Sequence, residues 1–183
     1  VGTLAIASYA LGLDNTGLFY NTPLPDRTAG ELEQEAYRII TEATPDDRRF
    51  KGKIHPYASK ASPEVVEALA KHISEGYVVG ITASASGFFG PQGREIPGLE
   101  ITVPRLQEHL ATLEVDGQRV VNFEMESSLL FHLARQMGYR SGTVCPIIAN
   151  RQAGTFLADY GPAVERAIVG GLKAMLDLYQ QDK

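Results

Sequence analysis

The fold of this 183-residue chain is constrained most strongly by three apolar runs. Each run is followed or preceded by a segment in which apolar residues recur at helical spacing. Residues 77–83 and 143–148 are apolar at nearly every position, and residues 119–123 contain the β-branched pair Val120-Val121. Strands that are apolar on both faces are typical of parallel sheets covered by helices on both sides. The pattern therefore predicts an α/β fold, with a ligand crevice beyond the carboxyl ends of its strands.

Apolar residues recur at helical spacing in five ranges of the chain. The second range begins at Pro63, directly after Ser62, which can cap the helix. The predicted helices cover residues 30–40, 63–76, 103–113, 125–137 and 161–179. Near the amino end, residues 4–13 and 18–20 predict a hairpin around the turn Asp14-Asn15-Thr16-Gly17, because apolar runs flank turn-forming residues there.

Composition excludes several classes of partner. The formal net charge is -5 and the pI is near 5.4, so the chain offers no basic field for a nucleic acid backbone. No apolar run is long enough to cross a bilayer, and no secretory signal is visible. We therefore expect a soluble, cytoplasmic protein with neither nucleic acid nor membrane as a partner.

Cysteine and histidine usage indicates no cofactor chemistry. The single cysteine, Cys145, lies in a predicted buried strand, where a thiol is usually an inert hydrophobic group. The four histidines are scattered, and none is spaced with carboxylates as metal ligands are. We expect no metal and no organic cofactor.

The segment Asn122-Phe123-Glu124-Met125-Glu126-Ser127-Ser128 places two carboxylates one residue apart at a predicted strand-to-helix junction. Carboxylates at a helix start can cap free N–H groups and complement the helix dipole, and taken alone the motif favours this capping role. The alternative is a ligand site, in which a carboxylate accepts hydrogen bonds from hydroxyl groups.

Two other segments carry groups that such a site would need. After the strand at residues 77–83, a glycine-rich loop presents Phe88, Phe89, Gln92 and Arg94. An aromatic ring can cover a flat heterocycle, while an amide and a guanidinium can bind its edge atoms. Arg151 follows the strand at residues 143–148 in the same way. Taken alone, the glycine-rich segment is slightly more typical of an ordinary surface loop than of a binding site, and Arg151 is more typical of an ion-pairing residue than of a ligand group.

Together the three segments resemble the uridine phosphorylases of the nucleoside phosphorylase superfamily, in order and in spacing. The resemblance rests on Phe88-Phe89-Gly90-Pro91-Gln92-Gly93-Arg94, Asn122-Phe123-Glu124-Met125-Glu126-Ser127 and Ile148-Ala149-Asn150-Arg151. It implies a three-layer α/β/α fold with a mostly parallel, mixed central sheet. Purine-specific relatives carry a Ser-Asp pair near Ala149-Asn150, and no aspartate stands there.

The resemblance also implies a reaction, the phosphorolysis of uridine to uracil and ribose 1-phosphate in pyrimidine salvage. Inorganic phosphate would be the co-substrate. Glu126 would accept hydrogen bonds from the ribose hydroxyls, Met125 would pack against the ribose, and Glu124 would line the same pocket. The expected catalytic residues are Arg94, Arg151 and Glu126.

The base would be bound by residues of all three segments. Gln92 and Arg94 would bind the uracil edge, and Arg151 would help to hold the departing uracil anion. Phe88 and Phe123 would cover the ring, and Ile148 belongs to the same implied binding surface.

The same resemblance implies that the family's phosphate-binding segments precede Val1. We therefore expect residues 1–183 to form a single domain that is the C-terminal portion of a longer nucleoside phosphorylase domain. Its activity would require N-terminal residues that this chain lacks. The likeness further suggests a homo-oligomer, a hexamer built as a trimer of dimers.

Three alternatives stay open. A purine nucleoside phosphorylase or a nucleosidase would share Glu124 and Glu126 but gain little from Gln92 and Arg94. A nucleoside-binding homologue would keep the pocket without the phosphate site. The third alternative is a structural α/β domain in which the motif match is a coincidence. Within the pyrimidine branch, the sequence does not decide among uridine, thymidine and 2′-deoxyuridine.

Overall fold

The computed structural model describes residues 1–183, and its centre is a six-stranded sheet. The strands of this sheet are β1 (Leu4–Gly12), β2 (Tyr57–Lys60), β3 (Tyr77–Ser84), β4 (Glu114–Val115), β5 (Gln118–Glu124) and β6 (Val144–Pro146). They run in the order β2-β1-β3-β5-β4, and β6 pairs with β1. A separate ladder joins β7 (Ala149–Asn150) to β8 (Thr155–Phe156).

Parallel pairing prevails in this mixed sheet by length. The strand β1 lies parallel to β3 over eight residue pairs, and β3 lies parallel to β5 over four. The antiparallel ladders β1–β2, β1–β6 and β4–β5 contribute four, three and two pairs. Because parallel β3 and β5 end at the same edge, the loops that follow them meet there.

Helices cover both faces of the sheet, which confirms the predicted α/β class. On one face, α1 (Arg27–Ala43) and α3 (Leu106–Leu110) pack against Leu11 and Ile81. On the other face lie α2 (Pro63–Ile73), α4 (Ser127–Gln136) and α5 (Gly161–Gln181). There Leu4 and Ile6 pack against α2 and α5, while Phe131 of α4 packs against alanines of β1. None of the five helices combines the length and apolar character needed to span a bilayer.

The predicted hairpin at the amino end is wrong. Thr16–Phe19 forms a short 3₁₀ helix instead of a return strand, and β1 pairs with β2, β3 and β6. The turn closes compactly because Asn15 adopts a left-handed backbone with φ 61° and Gly17 packs directly against the ring of Tyr57.

Two predicted elements are shorter than their apolar patterns suggested. The helix predicted at residues 103–113 is confined to α3, because Arg105 takes a left-handed conformation with φ 51° that no α-helix can include. The strand predicted at residues 143–148 is reduced to β6, which pairs with β1 at three positions only.

Candidate functional site

A cavity of about 560 Å³ lies where the loop after β3, the end of β5 and the segment after β6 come together. This volume is in the range of sites that enclose small organic molecules. Of the residues that the sequence analysis assigned to substrate binding, five line the cavity: Phe88, Gln92, Phe123, Ile148 and Arg151.

Gln92 and Arg151 are in direct contact in the cavity wall. The Arg151 guanidinium donates a 3.0 Å hydrogen bond to the amide oxygen of Gln92, which is only 5% exposed. The same guanidinium lies 4.9 Å from the centre of the Phe88 ring. An amide, a guanidinium and an aromatic face therefore converge on one space.

Arg94 lies on the same phenylalanine without lining the cavity. Its guanidinium is 4.4 Å from the centre of the Phe88 ring and 4.5 Å from that of Phe89, and it donates a 2.8 Å hydrogen bond to the Phe88 carbonyl. Burial, followed by the nearby charge of Arg94, lowers the pKa of Arg151. Neither Arg94 nor Arg151 forms an ion pair with a carboxylate. The region around Phe88 therefore attracts a negatively charged group.

Glu124 has the capping role that the sequence motif favoured when taken alone. Its Oε2 accepts hydrogen bonds from the backbone N–H groups of Glu126 (2.9 Å) and Ser127 (2.8 Å) and from the Ser127 hydroxyl (2.8 Å). Its Oε1 accepts a hydrogen bond from the Ser84 hydroxyl. Glu124 is absent from the cavity wall, and its carboxylate is committed to holding the start of α4 against the end of β3.

Glu126 and Met125 face a second, neighbouring pocket of about 500 Å³, together with Asp14, Thr16 and Ser86. The Glu126 side chain is exposed and forms no hydrogen bond or ion pair. The structure thus brings Arg94 and Arg151 together on Phe88 but places Glu126 in a separate depression.

The carboxylate of Glu126 in the smaller pocket affects the pKa of Cys145 in the larger cavity. Its thiol belongs to the wall of the larger cavity, and burial raises its pKa to about 11, with the charges of Glu124 and Glu126 adding to the increase. The Glu126 carboxylate therefore acts within electrostatic range of the larger cavity. A raised pKa favours the protonated, less nucleophilic form of the thiol at neutral pH.

Several polar residues of these two pockets were not predicted from the sequence. Gln107 and Asn122 line the larger cavity, and the side-chain oxygen of each is buried without a hydrogen-bond partner. Asn122 is the first residue of the segment at residues 122–128, so its position next to Phe123 and Glu124 was a usable signal. Asp14 and Thr16 had been assigned only to a turn, and nothing in the local sequence marks Gln107.

Metal coordination finds no support in the arrangement of side chains. No group of three or more His, Cys, Asp or Glu residues lies close enough together to hold an ion. The chemistry available is that of a hydrogen-bonding, cationic site with aromatic walls.

Comparison with known proteins gives consistent results. A family model described as the phosphorylase superfamily matches residues 1–168. A curated relative, the uridine phosphorylase of Thermococcus kodakarensis, is 40% identical over 103 residues, which are 55% of this chain. The crystal structure of a Trypanosoma brucei nucleoside phosphorylase that shows uridine phosphorylase activity superposes with a TM-score of 0.79 and 31% identity over 96% of this chain.

Both relatives are longer than this chain. The matched region spans 36% of the Thermococcus kodakarensis protein and 58% of the Trypanosoma brucei chain.

Proposed function

Because the chain belongs to the phosphorylase superfamily, we propose that it carries the base- and sugar-binding residues of an enzyme that cleaves uridine with inorganic phosphate. The products would be uracil and ribose 1-phosphate, which makes the enzyme a pentosyltransferase of pyrimidine salvage. The names of the two relatives support this proposal, since both are associated with uridine phosphorylase activity.

The observation that carries the proposal is the contact between Arg151 and Gln92 over the Phe88 ring. When the N-glycosidic bond breaks, the pyrimidine leaves as an anion whose charge spreads from the ring nitrogen onto its two exocyclic carbonyl oxygens. Two guanidinium groups without carboxylate partners can stabilise that charge, and they gain strength in a site from which water is partly excluded. Phe88 and Phe123 offer flat surfaces for the ring.

The sugar half of the proposed site is the neighbouring pocket. The Glu126 carboxylate is free to accept hydrogen bonds from two vicinal hydroxyl groups, and its charge would favour the positive ribosyl centre of the transition state. Met125 offers a flexible thioether chain beside it. Glu124 contributes indirectly, because its carboxylate fixes the backbone N–H of Glu126.

The remaining features of the proposal concern conditions and assembly. The reaction needs inorganic phosphate as co-substrate and neither a metal nor an organic cofactor. We propose a cytoplasmic homo-oligomer, a hexamer arranged as a trimer of dimers, in line with the family resemblance.

The direct test offers uridine and inosine to the purified full-length protein, each with and without phosphate, and measures base release spectrophotometrically. We expect uracil release from uridine that requires phosphate and yields ribose 1-phosphate. Base release from inosine alone would indicate a purine enzyme, and release without phosphate would indicate a nucleosidase. Uridine binding without any release would leave a nucleoside-binding protein.

A further inference from the structure

The first turn of α4, which directly follows Glu126, is anchored through a buried serine. Ser128 has no exposed surface, although serine is usually found at protein surfaces. Its N–H donates a 2.9 Å hydrogen bond to the Ser84 hydroxyl, and its carbonyl accepts one of 2.8 Å from the Ser59 hydroxyl. Its own hydroxyl lies 3.0 Å from the hydroxyl of Tyr57. Side chains of β2 and β3 therefore fix the point at which α4 begins.

Tyr57 is itself held at both edges of its ring. It is 2% exposed, and a Cβ atom on Gly12 or on Gly17 would come within 2.3 Å of the ring. The ring therefore cannot shift without moving the backbone beside it. Gly17 belongs to the turn that also carries Asp14 and Thr16. Tyr57 thus links this turn to the first turn of α4.

The two linked segments both line the smaller pocket of about 500 Å³. Asp14 and Thr16 belong to the turn, and Glu126 directly precedes α4. Tyr57 does not line this pocket, so it does not contact a molecule seated there. It holds two parts of the wall at a fixed separation, because its ring packs against the turn and its hydroxyl is bound to Ser128.

The backbone of Glu126 is fixed while its carboxylate stays free. Its N–H donates a 2.9 Å hydrogen bond to Glu124, and its carbonyl accepts one of 3.2 Å from the N–H of Leu130 in α4. The exposed carboxylate has no partner of its own. The region that the carboxylate can reach is therefore decided by the position of the first turn of α4.

We propose that Tyr57 is a positioning residue for the sugar half of the site, its hydroxyl holding the first turn of α4 so that the Glu126 carboxylate meets the hydroxyl groups of a pentose. This inference rests on the proposed function and adds a residue to its sugar pocket. Tyr57 acts through Ser128 and does not touch the sugar. Without the link, a shift of about 1 Å in the helix start would take a hydrogen bond of normal length out of range.

The test compares uridine with uracil, which lacks the sugar, by isothermal titration calorimetry on the full-length protein without phosphate. The ratio of the two dissociation constants measures what the sugar contributes to binding. It would be measured for the wild type, Tyr57→Phe, Glu126→Ala and the double variant. Tyr37→Phe is the matched control, because it removes a hydroxyl that donates a 3.2 Å hydrogen bond to the Gly52 carbonyl and lines neither pocket.

We expect Tyr57→Phe to lower the sugar contribution about fivefold, the effect of one hydrogen bond, and Tyr37→Phe to leave it unchanged. Because Tyr57 acts through Glu126, the double variant should lose no more than Glu126→Ala alone. An unchanged ratio in Tyr57→Phe, or losses that add in the double variant, would overturn the proposal. The same holds if the sugar contributes nothing to binding in the wild type.

Ser128→Ala removes the other hydroxyl of the same hydrogen bond and leaves the packing of the Tyr57 ring intact. It should lower the sugar contribution as much as Tyr57→Phe does. A loss in Tyr57→Phe that is absent from Ser128→Ala would contradict the route through Ser128. Melting temperatures would be measured for all variants, and Ser128→Ala carries the test if Tyr57→Phe does not fold.

Binding and turnover separate this inference from the proposed function. The titration requires no cleavage, so it tests Tyr57 whether or not the protein converts uridine. If uridine is not cleaved but the ratios behave as expected, the proposed reaction fails and the positioning role stands. If uridine is cleaved and Tyr57→Phe keeps the wild-type ratio, the reverse holds.

Discussion

Arg151 donates a hydrogen bond of 3.0 Å to the amide oxygen of Gln92, a residue that lies 59 positions earlier in the sequence. The contact fixes the orientation of the Gln92 amide and holds the Arg151 guanidinium over the Phe88 ring. One hydrogen bond thus joins the loop after β3 to the segment after β6 and defines the cationic side of the cavity.

Replacing Arg151 by alanine should reduce turnover far more than stability. Loss of one preorganised donor to a transition-state charge costs about a hundredfold or more in rate. The folded chain loses only one half-buried hydrogen bond, and relief of the repulsion from Arg94 offsets part of that loss. Arg94→Ala should behave similarly, since Arg94 forms no ion pair. Steady-state uridine cleavage and thermal melting would be measured on the same samples.

The control for these variants is Arg38→Ala, which removes an exposed arginine that pairs with Glu35 and Glu42 on α1. Its activity should equal that of the wild type. The loss of stability and the loss of rate of Arg151→Ala can be compared once both are expressed as free energies. If the loss of stability were as large as the loss of transition-state stabilisation, a role in the reaction would be contradicted.

Glu124 and Glu126 should respond in opposite ways to replacement by glutamine. Glu124→Gln brings an NH₂ group among hydrogen-bond donors at the start of α4, which should cost roughly 1–3 kcal/mol of unfolding free energy. Glu126→Gln alters an exposed carboxylate without partners, so its melting temperature should not change while kcat/KM for uridine falls. Chemical denaturation and steady-state kinetics would be measured on both variants, so that each variant is the control for the other.

Gly12 and Gly17 should not tolerate a methyl group. A Cβ on Gly12 would lie 2.2 Å from the Tyr57 ring, and one on Gly17 would lie 2.3 Å from its opposite edge. Overpacking of this kind costs about 1–3 kcal/mol, which for a protein of this size lowers the melting temperature by about 2–4 °C per kcal/mol. Differential scanning calorimetry of Gly12→Ala and Gly17→Ala measures the effect.

Gly171→Ala is the matched control, because Gly171 lies within α5 and a Cβ there meets no atom within 4 Å. Alanine is the better helix former by about 1 kcal/mol, so this variant should melt slightly higher than the wild type. If Gly12→Ala and Gly17→Ala melted like Gly171→Ala, the close packing around Tyr57 would be refuted.

Asp26 should make stability depend on pH in the acid range. Burial alone would raise its pKa, but hydrogen bonds from Lys60 (2.6 Å), the Ala29 backbone (2.9 Å) and Tyr9 (2.9 Å) hold the pKa below its usual 3.8. A carboxyl group whose pKa falls on folding stabilises the folded state above its unfolded pKa. That contribution is lost as the pH falls through the folded value.

Melting curves between pH 2 and pH 7 on the wild type and Asp26→Asn would measure this contribution. We expect the difference between them to be largest above about pH 4 and to shrink towards pH 2. Glu67→Gln, at an exposed carboxylate of α2 that forms no ion pair or side-chain hydrogen bond, is the control and should follow the wild type. A difference that stayed constant over the whole range would exclude the ionised Asp26 as its source.

The central fold was predictable because its signals are local. The strands predicted at residues 77–83 and 119–123 agree with the boundaries of β3 and β5 to within one residue. The last predicted helix corresponds to α5. The hairpin failed because the partner of β1 is β2, whose sequence Tyr57-Ala58-Ser59-Lys60 has no distinctive pattern. Strand partners depend on packing between distant segments, which local periodicity does not contain.

The candidate site was predictable in part for the same reason. The sequence named Phe88, Gln92 and Arg151, and the structure places them in one cavity. It could not separate the capping role of Glu124 from a ligand role, because both require a carboxylate at a helix start. Gln107 gave no signal at all, since its position depends on the approach of α3 to Gly93. The catalytic roles of Arg94, Arg151 and Glu126 stay predictions.

The strands β5 and β6 share no ladder, since β5 pairs with β3 and β4 while β6 pairs with β1, yet both contribute to the larger cavity. A molecule seated there would bridge two strands that do not pair directly with each other. Its occupancy should slow amide hydrogen exchange in both strands at once, because binding to the folded state alone suppresses every opening that separates them. The concentration of such a molecule would then determine how often these two strands open to solvent.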